Sequence, residues 1–255
     1  MRHLIFVCLA VACAACGGSE PAPAASSTPT PAPAAAPAVD ASGETWLATD
    51  FVGQEPSSFV VLAGNWTVRE EDGQRMLRVD GTSWKPGTPP EHLGPKAVVL
   101  FPGDGPAFAE RWAKGLQFPT GVVRDVPTFS DGELAVDFRL IGGESDQYAS
   151  LMFAMTPDGN HYAYRYNTKD GDAALWRVVN GERERLHHGG IPVAVPLNSW
   201  STLRLRIDGP VLTGWVGDTK ALEYTLPAAV SGRIGLWSKA DSVTDYRKLR
   251  HVAAK

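Results

Sequence analysis

The sequence predicts an all-β fold: two antiparallel sheets packed as a sandwich, with one short helix. Three observations carry it. From residue 46 onward apolar and polar residues alternate with period two, as in strands that face a core on one side. Turn signals recur at short intervals, among them Pro157-Asp158-Gly159-Asn160, Asn180-Gly181 and Asp208-Gly209-Pro210. Only residues 106–114 read as helix, with Asp104 placed as the cap. Hydrophobic residues at 44% suffice for a core, and a net charge of −4 argues against nucleic acid or an anionic membrane surface as partner.

Taken in order, the chain begins with Met1-Arg2-His3, a short positive segment, and then 13 apolar residues from Leu4 to Cys16. That run is too short for a bilayer core and reads as a secretory signal over residues 1–15. Residues 16–43 form a Pro/Ala-rich, disordered tether; residues 19–43 alone hold 6 Pro and 9 Ala, which favour extended chain and cannot build a core. The sandwich occupies residues 44–255. All three cysteines, Cys8, Cys13 and Cys16, lie in the first 16 residues, so the exported domain has none for disulfides.

Residues 59–62, 66–70, 76–79, 116–118 and 122–123 read as short strands. Segment 84–113, rich in proline, interrupts them as a long loop pinned by Trp84 and Trp112, either the wall of a site or a surface insertion. In residues 133–140, Leu134, Val136, Phe138 and Leu140 point one way and Glu133, Asp137 and Arg139 the other. Residues 148–155 follow, with Ala149, Leu151, Phe153 and Met155 on one side, and a hairpin leads to 161–167. Further strands are expected at 174–179, 183–187, 202–207, 212–216, 220–226, 232–238 and 246–252. Trp66, Trp200 and Trp215 read as core.

Strand 161–167 supplies the first site candidates. Tyr162, Tyr164 and Tyr166 share a face suited to the core, which puts His161, Arg165 and Asn167 on the other, where guanidinium and amide donors suit sugar hydroxyls. The alternative there is a plain polar face with an ion pair to Asp137 or Glu133. Trp237 with Lys239 and Asp241 is the second group: a ring to stack on a pyranose and two groups to grip hydroxyls, or else a core Trp beside a capped turn. His187-His188 point oppositely on a strand and offer no simple metal site. Asp170-Gly171-Asp172 is conceivable as a calcium loop, with a plain polar turn the simpler reading. No cofactor is indicated.

Two resemblances follow from motifs. Ala14-Ala15-Cys16-Gly17 resembles a bacterial lipoprotein signal, which implies lipidation at Cys16 and an exported protein held at the envelope, with Gly17 resembling outer-membrane sorting. Gly64-Asn65-Trp66-Thr67-Val68, Gly132-Glu133-Leu134-Ala135-Val136-Asp137-Phe138-Arg139, Tyr162-Ala163-Tyr164-Arg165-Tyr166-Asn167 and Gly232-Arg233-Ile234-Gly235-Leu236-Trp237 resemble the concanavalin A-like jelly-roll superfamily. More narrowly they resemble the exported unknown-function-1080 family, associated with 3-keto-disaccharide hydrolases. The acidic Glu-x-Asp-x-x-Glu strand motif of family-16 glycosidases is absent. Glu144 and Asp146 supply its first two positions and Ala149 stands at the third, while the preceding Gly-Gly suggests a turn. Three functions stay open: a carbohydrate- or glycoconjugate-binding sandwich without chemistry of its own, a glycoside-cleaving hydrolase using Glu144 or Asp146, and an envelope interaction module. The membrane is met through the lipid anchor only, and oligomeric state is not encoded legibly.

Overall fold

A computed structural model of the chain describes residues 45–46, 59–85, 87, 92–115, 118–188 and 192–254. The signal, Cys16 and the tether lie outside these. The first strands are β1 (Thr45–Trp46), β2 (Phe59–Ala63), β3 (Asn65–Glu71) and β4 (Gln74–Asp80). Helices α1 (Leu93–Leu100) and α2 (Gly105–Lys114) come next, then β5 (Thr120–Val123), β6 (Gly132–Gly142), β7 (Tyr148–Met155) and β8 (His161–Asn167). The chain continues through β9 (Asp172–Val179), β10 (Glu182–His188), β11 (Trp200–Asp208) and β12 (Val211–Val216). It closes with β13 (Thr219–Thr225), β14 (Arg233–Trp237) and β15 (Val243–Ala253).

The strands pair antiparallel into two sheets. One runs β13-β12-β11-β6-β15-β4-β3 with β1 also on β15; the other runs β10-β9-β8-β7-β14-β5-β2. Alternation decides which side chains meet between them. Leu134, Val136, Phe138 and Leu140 of β6 face Leu151, Phe153, Tyr164 and Tyr166 of the other sheet in one continuous core. Tyr166 can lie there because its hydroxyl donates to the Val193 carbonyl at 2.7 Å and accepts from Val195 N–H at 3.0 Å.

A second apolar layer sits outside the seven-stranded sheet. Val60, Leu62, Val122, Tyr148, Met152, Ala163 and Trp237 meet Ala97 and Leu100 of α1 and Phe108 and Trp112 of α2. Strand β7 is therefore buried at every position. Segment 84–113 is thus not a bare loop but carries two helices, one more than expected. Helix α1 is hidden in the sequence because only Ala97 and Leu100 are buried while Val98 and Val99 stand 48% and 47% exposed. Its Pro95 falls in the first turn, where no donor is needed.

Other expectations are corrected. Of the strand expected at 116–118, residues 116 and 117 lie outside the described residues and Phe118 is not in a strand. Asp104 precedes α2 but makes no side-chain cap; its carbonyl instead accepts from Phe108 N–H at 2.9 Å. Met155 joins the helix-side layer, not the inter-sheet core, because Ala154 takes a left-handed φ of 53° and shifts the alternation by one. Trp200 and Trp215 are half-buried on the outer face of the larger sheet, under the guanidinium groups of Arg247 and Arg204 at 3.9 Å each; Trp66 is in the core. Among the described residues no helix is long and apolar enough to cross a membrane.

Candidate functional site

The helices cover one end of the outer face of the seven-stranded sheet, and the other end presents a polar cluster. Strand β8 places Arg165 between Ser150 of β7 and Ala174 of β9, small neighbours that leave room for its side chain. Arg165 is 1% exposed, an arrangement that needs paired charges. It donates to the carboxylate of Asp172, lies 3.4 Å from Asp170, and stacks 5.0 Å over the Tyr148 ring. Asn167, equally buried, donates to Asp170 at 2.8 Å and Asp146 at 3.4 Å while its oxygen accepts from Lys169 N–H at 3.1 Å. Lys239 closes the circuit with Asp146 at 2.8 Å and lies 5.5 Å over the same Tyr148 ring. His188 reaches Asp172 from β10 at 3.2 Å.

Beside this circuit stands Trp176, half-buried on β9 directly across from Ala163, with Arg183 and Arg185 over its ring at 5.2 and 5.4 Å. Arg183 also covers Phe118 at 4.6 Å, and burial lowers its pKa. An aromatic plate flanked by charge-assisted donors and half-exposed carboxylates can pair with vicinal hydroxyls and stack on a ring face.

The structure therefore unites Arg165, Asn167, Lys239 and Asp146 but separates the other candidates. Asp241 is spent on structure: its carboxylate accepts from the backbone N–H groups of Glu144 at 2.6 Å, Ser145 at 3.0 Å and Asp146 at 3.2 Å. Burial alone would raise its pKa, yet those donors outweigh it and hold the group below the usual carboxylate range. Glu144 is exposed on that same turn and meets its neighbours through its main chain, to Asp241 and Lys169. The expected partners of Arg165 are wrong as well. Asp137 and Glu133 belong to the other sheet, where they face Arg247 and Arg204, and the true partners are Asp170 and Asp172. Those two, weighed as calcium ligands, are engaged by Arg165, and among the described residues no group of three His, Cys, Asp or Glu side chains is placed to hold a metal. Tyr148, Trp176 and Arg183 escape a reading of the sequence. The alternation of β9 could have set Trp176 outward, but only strand register puts it beside Arg165.

His161 and Trp237 lie in the aromatic layer instead. Trp237 is 1% exposed and packs on Phe118 and Tyr148 at 5.2 and 6.0 Å. His161 is 3% exposed, 6.0 Å from the Trp112 ring, with Nδ1 2.9 Å from the Gly159 carbonyl. Burial pushes its pKa down from 6.5 to about 4, against the weaker opposite pull of that carbonyl. Between those two values the unfolded chain binds the extra proton. Stability from this ring is thus complete above about pH 6.5 and lost as pH falls toward 4, about 3 kcal/mol in all at roughly 1.4 kcal/mol per unit. Urea unfolding at pH 7 and 4.5 should show a drop in the wild type that is smaller by about 2 kcal/mol in His161→Phe; equal drops would refute this.

No family model and no curated protein matches the chain. Solved structures do resemble it. Carbohydrate-binding module CBM66 from Bacillus subtilis aligns with a TM-score of 0.53 at 13% identity, over 76% of this chain and 96% of the module. A Bacillus licheniformis β-glucanase aligns at TM-score 0.48 and 11% identity, over 84% of this chain and all of the enzyme (100%). Alginate lyase AlgAT5, of polysaccharide lyase family 7, aligns at 0.46 and 10%, over 74% and 82%. At such identities the first of these speaks to architecture alone: the chain folds as a two-sheet antiparallel β-sandwich, as that module does.

Proposed function

We propose that this sandwich binds a carbohydrate or glycoconjugate, without cleaving it, on the outer face of its seven-stranded sheet. The carrying observation is the Arg165–Asp172–Asp170–Asn167 circuit set beside the partly buried Trp176 ring. Asp170 keeps 53% of its side chain exposed and Asp172 19%, so carboxylate oxygens remain available to sugar hydroxyls while Arg165 fixes their positions. The fold shared with a carbohydrate-binding module is compatible with this reading; the residues carry it. A hydrolase built on Glu144 and Asp146 finds less support, since Asp146 is engaged by Lys239 and Asn167, and Glu144 stands exposed on a turn. In this reading Cys16 carries the lipid and residues 16–43 are the tether at the envelope, both resting on sequence alone.

The test is a glycan array of neutral and acidic oligosaccharides, followed by calorimetry on the best ligand. Trp176→Ala and Asp172→Asn should each weaken binding at least tenfold while leaving the circular dichroism spectrum unchanged. Silence across the array, or undiminished binding by both folded variants, would end the proposal.

A further inference from the structure

The aromatic layer encloses a pocket of about 220 Å³ between α2 and the sheet, whose walls include Trp112, Phe118, Trp237, Val178 and His161. It is built from rigid elements. Trp237 and His161 sit on β14 and β8, and Trp112 on α2. The end of α2 meets the β9–β10 turn backbone to backbone: a Cβ placed on Gly115 would lie 3.1 Å from the Gly181 Cα. A side chain at Gly115 would press on that rim.

Its polar chemistry is spare. Thr120, on the wall, donates its hydroxyl to the Phe118 carbonyl at 2.9 Å. Arg111 is held by the Pro157 carbonyl at 3.1 Å and Asp158 at 3.3 Å, and Lys114 by Glu110 at 2.7 Å. His161 is different. A carbonyl only accepts, so the contact with Gly159 puts the ring proton on Nδ1 and leaves Nε2 as an acceptor, buried and with no protein partner. A buried polar atom left in that state asks for an explanation, and a ligand donor supplies one.

We propose that this pocket is a second binding site, distinct from the polar cluster, for a small planar aromatic molecule with one hydroxyl, a phenol, whose O–H donates to His161 Nε2. The ring faces of Trp112, Phe118 and Trp237 offer offset and edge contacts to a flat guest. The volume suits it, since an apolar cavity of ~150 Å³ accepts benzene. A saccharide fits less well by the same chemistry: its several hydroxyls would lie against the aromatic faces, and each hydroxyl buried without a partner opposes binding. A phenol brings one. The inference does not rest on the carbohydrate reading, because it uses neither Arg165 nor Trp176.

The probes are p-cresol and toluene, equal in shape apart from the hydroxyl, titrated into the full chain and followed by tryptophan fluorescence and saturation-transfer NMR. The wild type should bind p-cresol saturably and roughly tenfold more tightly than toluene, the factor one hydrogen bond to a buried acceptor confers. His161→Phe should bring p-cresol down to the toluene level. Asp172→Asn should leave p-cresol affinity within about twofold, although it removes a carboxylate of the proposed glycan site. The wild-type comparison needs no variant, so it decides the matter even if His161→Phe fails to fold. Absent saturation, equal affinities for the two probes, discrimination that survives in folded His161→Phe, or loss of p-cresol binding in Asp172→Asn would each overturn the proposal.

Discussion

Replacing Arg165 with methionine should cost about 1–3 kcal/mol of folding stability and abolish glycan binding together, less than a fully buried broken pair because the carboxylates left behind keep contact with water. The reason is asymmetric. Arg165 is 1% exposed while Asp170 and Asp172 are 53% and 19% exposed, so removing the cation leaves two anions on a sheet face with Asn167 and the exposed His188 as their remaining donors. Methionine keeps the volume and fills the space over Tyr148, so packing loss adds little and the electrostatic cost dominates. Arg165→Lys should recover only part of the loss: an ammonium lacks the planar fork with which the guanidinium meets Asp172 and Asp170 and stacks on Tyr148. Urea unfolding measures the stability change. Calorimetry with the array ligand, run on variants that urea unfolding shows to be folded, separates it from recognition. A cost below about 1 kcal/mol for Arg165→Met would show that the circuit is not the organising element of the site.

What the sequence disclosed of this site follows from periodicity. Within β8, alternation correctly sent Tyr164 and Tyr166 into the core and Arg165 and Asn167 to the opposite face, because one strand contains all the information needed. The partners of Arg165 needed more. Asp172 is across from Asn167 in the ladder, and Asp137 is on the other sheet, a distinction set by pairing between strands and invisible within any one of them. The second apolar layer was illegible for a related reason. Strand β7 reads Tyr-Ala-Ser-Leu-Met-Phe-Ala-Met, apolar on both faces, which signals burial without saying what covers the outer one. The covering helices come from a proline-rich stretch in which α1 buries only two residues. Asp241 misleads because a carboxylate that accepts three backbone donors from a turn almost a hundred residues away looks, in sequence, like any exposed acid.

Truncating Asp245 to alanine is the other change with a large expected effect, about 3 kcal/mol of stability, and it acts far from any ligand. Asp245 is fully buried on β15, with Arg78 of β4 and Arg139 of β6 as its ladder neighbours on either side. Its carboxylate takes a two-pronged contact from Arg78 at 2.7 and 2.9 Å and a further one from Arg139 at 2.8 Å. Hydrogen bonds to Asp245 raise the pKa of Arg78, and those to Glu71 and then Asp245 raise that of Arg139. Alanine would leave two guanidinium groups side by side, with Glu71 bonded to Arg139 and the more distant Asp80 near Arg78 to balance them. Because their side chains keep 21% and 14% exposure, water tempers the penalty and the lower end of the range for a broken buried pair applies. The triple variant Asp245→Leu, Arg78→Met, Arg139→Met should regain most of the loss, since it removes the charges along with their partners. If the triple variant proves no more stable than Asp245→Ala in urea, the three side chains hold the middle of the larger sheet by shape rather than charge.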